Sequence, residues 1–147
     1  MNVEFVDRWC AISMIKSGEM DNFNLISIND TTKDLEYMRS LRDDDDDAIF
    51  VKFQDEDSEL SGFTEELADS LNMFIDESFK KKKDIIVHCF AGVSRSGAVA
   101  KYINEYYGLG DRYLEDYVGH NKHVYYTMLE AQGVETLRSY YKILENN

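Results

Sequence analysis

The sequence predicts a three-layer α/β domain with a small, largely parallel central sheet flanked by helices and a helical C-terminal cluster. Three observations carry this. Up to Arg95, short β-branched and apolar runs alternate with helical patterns. The run Ile85-Ile86-Val87 is apolar at every position, which suits a strand covered by helices on both faces and not one with a wet side. After Arg95 every periodic segment reads as helical, so no further strand is needed.

In chain order, residues 3–6 read as a strand and 9–16 as a helix, followed by a strand at 25–28, a helix at 32–41 and a strand at 48–53. Residues 63–79 carry apolar side chains at Leu67, Leu71, Phe74, Ile75 and Phe79, a stripe that should face the sheet. The strand at 85–88 comes next, then helical patterns at 96–107, around 113–118, at 123–131 and at 134–144. With 147 residues, no internal repeat and no low-complexity linker, one domain over residues 1–147 is expected.

Composition narrows the function classes. Hydrophobic residues at 44% and charged residues at 31% place the chain among globular proteins. A net charge of −13 opposes nucleic acid and anionic membranes, whose binding rests on Lys and Arg. No apolar run approaches the roughly 20 residues of a membrane span. The start MNVEFVDRW lacks the basic-then-apolar order of a secretory signal, so a cytoplasmic location is expected. Cys10 and Cys89 are the two cysteines, too few for a disulfide framework.

Two charge runs have plain readings. The acidic run 43–47 lacks the spacing and glycine of a calcium loop and reads as a solvated loop. The lysines at 80–83 follow a helical stripe and read as cations at a helix C-terminus. Cys10 lies in an apolar helical pattern and reads as core, and a disulfide with an oxidised Cys89 is open if the fold brings the two together. Asn121, His123 and Val124 open a late helix and read as capping and packing residues.

Chemistry concentrates in residues 85–97, a buried strand running into a short loop and then a helix. A helix N-terminus presents unpaired N–H groups with partial positive charge, and a preceding tight loop can curl its own N–H groups inward. Gly92 permits that curl. Amide donors, a helix N-terminus and nearby cations all favour a thiolate over a thiol, which makes Cys89 the candidate nucleophile. Arg95, six positions on, can return across the loop with a planar fork that matches two phosphate oxygens.

The stretch HCFAGVSRS at 88–96 resembles the His-Cys-x5-Arg-Ser signature of protein-tyrosine and dual-specificity phosphatases, the compact dual-specificity type in particular. The likeness extends to VKFQD at 51–55 and FIDES at 74–78. A bare Cys-x5-Arg also occurs in rhodanese-related proteins; the preceding apolar strand, the glycine inside the loop, the flanking hydroxyls and the following helix set this one apart.

The resemblance implies a protein-tyrosine-phosphatase-like fold and hydrolysis of phosphotyrosine, phosphoserine and phosphothreonine being further candidates, through a phosphocysteine intermediate. It implies that backbone N–H groups of Phe90, Ala91, Gly92, Val93, Ser94 and Arg95 hold the phosphate. Ser96 would support the departing thiolate or cap the helix, and His88 would hold the loop. The general acid would be an Asp after an upstream strand. Asp55 follows its strand directly, and Asp57 is nearer the usual separation from the cysteine; Asp55 is the choice. No metal or cofactor is called for, and the expected state is a monomer acting on phosphorylated protein. Two other readings stand beside it: a binding module that captures phosphoprotein without hydrolysis, and a phosphoinositide or RNA phosphatase. The latter fits less well, because Phe90, Ala91 and Val93 add no positive charge to the loop.

Overall fold

The computed structural model describes residues 1–42 and 46–146, so most of the acidic run 43–47 lies outside the described residues. Four strands, β1 (Val3–Val6), β2 (Phe23–Asn29), β3 (Ala48–Lys52) and β4 (Asp84–His88), form one sheet in the order β1-β4-β2-β3. Every pairing is parallel. The position of β4 inside the sheet explains its sequence. Both of its edges are hydrogen-bonded and both of its faces are covered, so Ile85, Ile86 and Val87 are all buried.

One face of the sheet carries α1 (Arg8–Ser17) and α2 (Thr32–Leu41), with Ala11, Ile12, Met20, Met38 and Ile86 in a single apolar cluster. The other face packs Ile85, Val87, Ile26, Ile28 and Val51 against α3 (Glu65–Lys80), α4 (Arg95–Tyr106) and α6 (Lys122–Ala131). Two further helices, α5 (Arg112–Glu115) and α7 (Leu137–Glu145), complete the C-terminal cluster. Among the described residues no helix is long and apolar enough to cross a membrane.

Caps set the boundaries where the periodic patterns overran. Thr64 accepts from Leu67 N at 3.1 Å and starts α3 after Phe63, whose ring packs on Phe53 with centroids 4.6 Å apart. Thr136 and Ser139 form a reciprocal capping box that starts α7 three residues after position 134. Asp111 caps α5, which ends at Glu115, before the chain turns to bring Tyr117 under the loop that follows β4.

One side-chain expectation needs correction. Cys10 is exposed and not core: α1 presents Ala11 and Ile12 inward, and Cys10 falls on the opposite side. The α3 stripe faces the sheet as expected: Leu71 and Ile75 are buried in the core with Ala68 and Asn72 beside them, and Leu67, Phe74 and Phe79 pack against the same cluster partly buried. The buried Asn72 has its Oδ1 accepting from Tyr102 OH at 2.6 Å, while its Nδ2 has no partner among the described residues.

Candidate active site

The chain leaves β4 at His88, curls through residues 89–94 and enters α4 at Arg95. The first backbone bond of α4 runs from Ala98 N to Ser94 O at 3.0 Å, so the amides of residues 95–97 lie at an open helix N-terminus. Residues 95–104 of α4 are buried throughout, which holds that terminus rigidly. The curl depends on Gly92, at φ +67°, a conformation that L side chains rarely adopt. A Cβ on Gly92 would stand 2.4 Å from Asp7 N and 2.7 Å from Val6 C. The loop is therefore pressed against the end of β1, and Arg8 N donates to Phe90 O at 3.2 Å from the start of α1.

His88 anchors the base of the loop. Its Nδ1 lies 3.1 Å from Cys89 O and its Nε2 2.6 Å from Ser27 Oγ. The carbonyl can only accept, so Nδ1 carries the proton and donates, and Nε2 accepts from the Ser27 hydroxyl. The parallel register sets Ser27 directly beside His88, and Asn29 Nδ2 donates to Ser27 Oγ at 3.1 Å. Burial pushes the imidazole down to about 4, so the ring is neutral at pH 7. A neutral ring with one donor and one acceptor is what this pair of partners requires.

Cys89, Arg95 and Asp55 line one open cleft of about 580 Å³, together with Asp30, Gln54, Glu56, Phe90, Ala91, Val93 and Ser94. The Cys89 residue is only 2% exposed, and its sulfur lies 3.1 Å from Ser96 Oγ. Ser96 does not cap the helix, since the N-cap position belongs to Ser94. Arg95 Nη1 donates to Asp30 Oδ1 at 2.6 Å and to Phe53 O at 2.8 Å. Phe90 and Val93 stand at the rim, 53% and 48% exposed.

The two acidic candidates separate cleanly. Asp55 Oδ1 accepts from Ser94 Oγ at 2.8 Å and from Asn121 Nδ2 at 3.0 Å, which ties it to the loop and to the start of α6. Asp57 does not line the cleft; its Oδ1 accepts from His123 N at 2.8 Å in the first turn of α6. Tyr117 braces the far side of the loop by donating to Val93 O at 2.7 Å. Burial pushes its phenol up, so it stays a donor at neutral pH.

Residues 10–140 match the family described as dual specificity phosphatase, catalytic domain. The chain belongs to that family. This dual-specificity phosphatase is a cysteine-dependent hydrolase of phosphorylated protein. Its fold resembles two solved phosphatase structures. "Tk-PTP in the active form" matches with a TM-score of 0.56 at 15% identity, over 99% of this chain and 90% of the other. The Cydia pomonella PTP-2 phosphatase matches with a TM-score of 0.53 at 19% identity, over 99% and 85%. No curated protein matches the chain.

Four site residues escaped the sequence reading of this phosphatase. Ser27, which bonds His88, Asn29, which bonds Ser27, and Asp30, which bonds Arg95, lie at the end of β2, some 60 residues before the loop, and strand order is what brings them there. Asn121 was legible as the cap of α6, and its Oδ1 does accept from Val124 N at 3.1 Å. Its Nδ2 also holds Asp55, and only the folded arrangement reveals that second use.

Proposed function

We propose that this phosphatase hydrolyses phosphotyrosine in proteins in two displacement steps through a phosphocysteine. The convergence of Cys89, Arg95 and Asp55 on one cleft carries this reading. In the first step Cys89 Sγ, as thiolate, attacks phosphorus. The ester P–O bond breaks, and Asp55 delivers a proton to the departing oxygen. Asp55 Oδ1 already accepts two bonds, so Oδ2 is the oxygen suited to carry that proton. In the second step water attacks phosphorus, Asp55 takes up its proton, the P–S bond breaks and phosphate leaves. The Ser96 hydroxyl donates to the sulfur as it recovers its charge.

The amides of residues 90–95 and the Arg95 guanidinium stabilise the equatorial oxygens as charge shifts in each step. His88 acts through the loop it holds, not on substrate. The exposed Phe90 and Val93 at the rim supply apolar contact for an aromatic ring, which favours phosphotyrosine over the shorter aliphatic esters. Charge favours a substrate with one phosphate: Arg95 is the sole cation among the cleft's lining residues, against Asp30, Asp55 and Glu56. A phosphoinositide with several phosphates would meet those carboxylates.

The test is a kinetic comparison of phosphotyrosine peptide, phosphothreonine peptide and phosphoinositide, using the wild type and Cys89→Ser. Phosphotyrosine should be turned over fastest, and Cys89→Ser should bind it without turnover. Faster phosphoinositide hydrolysis would overturn the substrate assignment, and wild-type rates in Cys89→Ser would overturn the mechanism.

A further inference from the structure

Arg95 enters the cleft already held. Arg95 Nη1 has two N–H groups and both are in use, one on the carboxylate of Asp30 and one on the carbonyl of Phe53. These partners lie at the ends of neighbouring strands, Asp30 just after β2 and Phe53 just after β3. The Asp30 backbone is itself fixed, since its carbonyl accepts from Gln54 Nε2 at 2.6 Å. Arg95 Nε, by contrast, is buried and has no partner among the described residues. A buried donor left without a partner is destabilising until something accepts from it. A planar guanidinium presents Nε–H and one Nη2 N–H side by side along one edge, which is the edge that Asp30 and Phe53 leave unused.

We propose that Asp30 is a positioning residue for Arg95. By gripping Nη1 at 2.6 Å it fixes the guanidinium plane so that the Nε–Nη2 edge meets two oxygens of an incoming tetrahedral oxyanion. The inference rests on the phosphatase reading of the cleft and adds a residue to it. Asp30 also places a negative charge near the phosphate, and that charge alone would weaken anion binding. The two effects have opposite signs, and the geometry assigns the larger one to orientation: Arg95 is 6% exposed at its side chain and without Asp30 would keep a single anchor on Nη1.

The experiment uses Asp30→Ala and Asp30→Asn, with tungstate affinity measured calorimetrically and kcat and KM measured on an aryl phosphate. Asp30→Ala should bind tungstate at least about tenfold more weakly, as expected for losing a hydrogen bond to a charged group. Its KM should rise and its kcat fall together. Asp30→Asn keeps an acceptor oxygen without the charge and should restore tungstate affinity to within about threefold of wild type. Such rescue would not occur if Asp30 merely stabilised the fold, and a thermal melt of each variant checks that both are folded. Tungstate bound by Asp30→Ala as tightly as by wild type, or no rescue by Asp30→Asn, would overturn the proposal. Tungstate binding needs no turnover, so a wild type that hydrolyses nothing defeats the phosphatase reading and leaves the Asp30 measurement intact.

Discussion

Ser94 Oγ donates to Asp55 Oδ1 at 2.8 Å, so the loop proposed to cradle the phosphate also holds the candidate acid. The bond joins residues 39 apart in sequence, and Asn121 closes the arrangement by donating to the same oxygen. The proposed nucleophile Cys89 and the proposed acid Asp55 are thereby indexed to one loop, at the head of a helix that is buried along most of its length.

Asp55→Asn should lower kcat by roughly 10²–10⁴-fold on substrates with poor leaving groups, the range expected for removing a general acid. The loss should shrink with a good leaving group that needs no proton. Asp57→Ala should instead cost about 0.5–2 kcal/mol of stability, because it removes a cap on α6, with kcat changed by only a few-fold. Rates across a series of aryl phosphates, with urea unfolding of each variant, check both outcomes. A large kcat loss confined to Asp57→Ala would move the acid.

The His88 ring should stay neutral well below the ordinary histidine range. Its folded value of about 4 is depressed from an unfolded value of about 6.5, so between them the unfolded chain binds more protons. Stability should therefore be unaffected by this group above pH 6.5 and fall as pH drops, by roughly 3 kcal/mol in total by pH 4. An NMR titration of the imidazole reads the folded value directly. A midpoint near 6.5 would contradict the account of the Ser27 and Cys89 bonds.

Gly92→Ala should lower kcat/KM by about 10²-fold, since the new methyl would meet the Asp7 and Val6 backbone and displace the loop, and displacements near 1 Å carry penalties of that size. Phosphate affinity should fall with it. Unchanged kinetics would mean that the loop does not need its present seat against β1.

Phosphotyrosine peptides flanked by Lys or Arg should have a higher kcat/KM than those flanked by Asp or Glu, because Asp30, Asp55 and Glu56 surround the single cleft cation. The preference should fade in 1 M salt, where the screening length is about 3 Å. A salt-independent preference, or one for acidic flanks, would contradict it.

What the sequence disclosed is what is encoded locally. The β4 run, the glycine curl and the α4 start are contiguous, so Cys89 and Arg95 could be read as a unit. Asp30 could not, because its partner is 65 residues away and only the β1-β4-β2-β3 order sets the end of β2 beside the loop. The choice of Asp55 over Asp57 rested on proximity to a strand; in the fold Asp55 lines the cleft of Cys89 while Asp57 accepts from the first turn of a helix, and only kinetics decides which is the acid. Cys10 misled because an apolar residue type alone does not say which helix face it lies on, and Cys10 falls on the face turned away from Ala11 and Ile12. Asn72 is the converse case, a polar residue in the core whose Oδ1 meets a tyrosine hydroxyl.

The most direct test of the central claim is rapid acid quenching of wild type during turnover of a labelled aryl phosphate, followed by peptide mapping. The account predicts phosphorus bound covalently to the peptide that contains Cys89, and none in Cys89→Ser. Turnover with no label on that peptide at any quench time would contradict it.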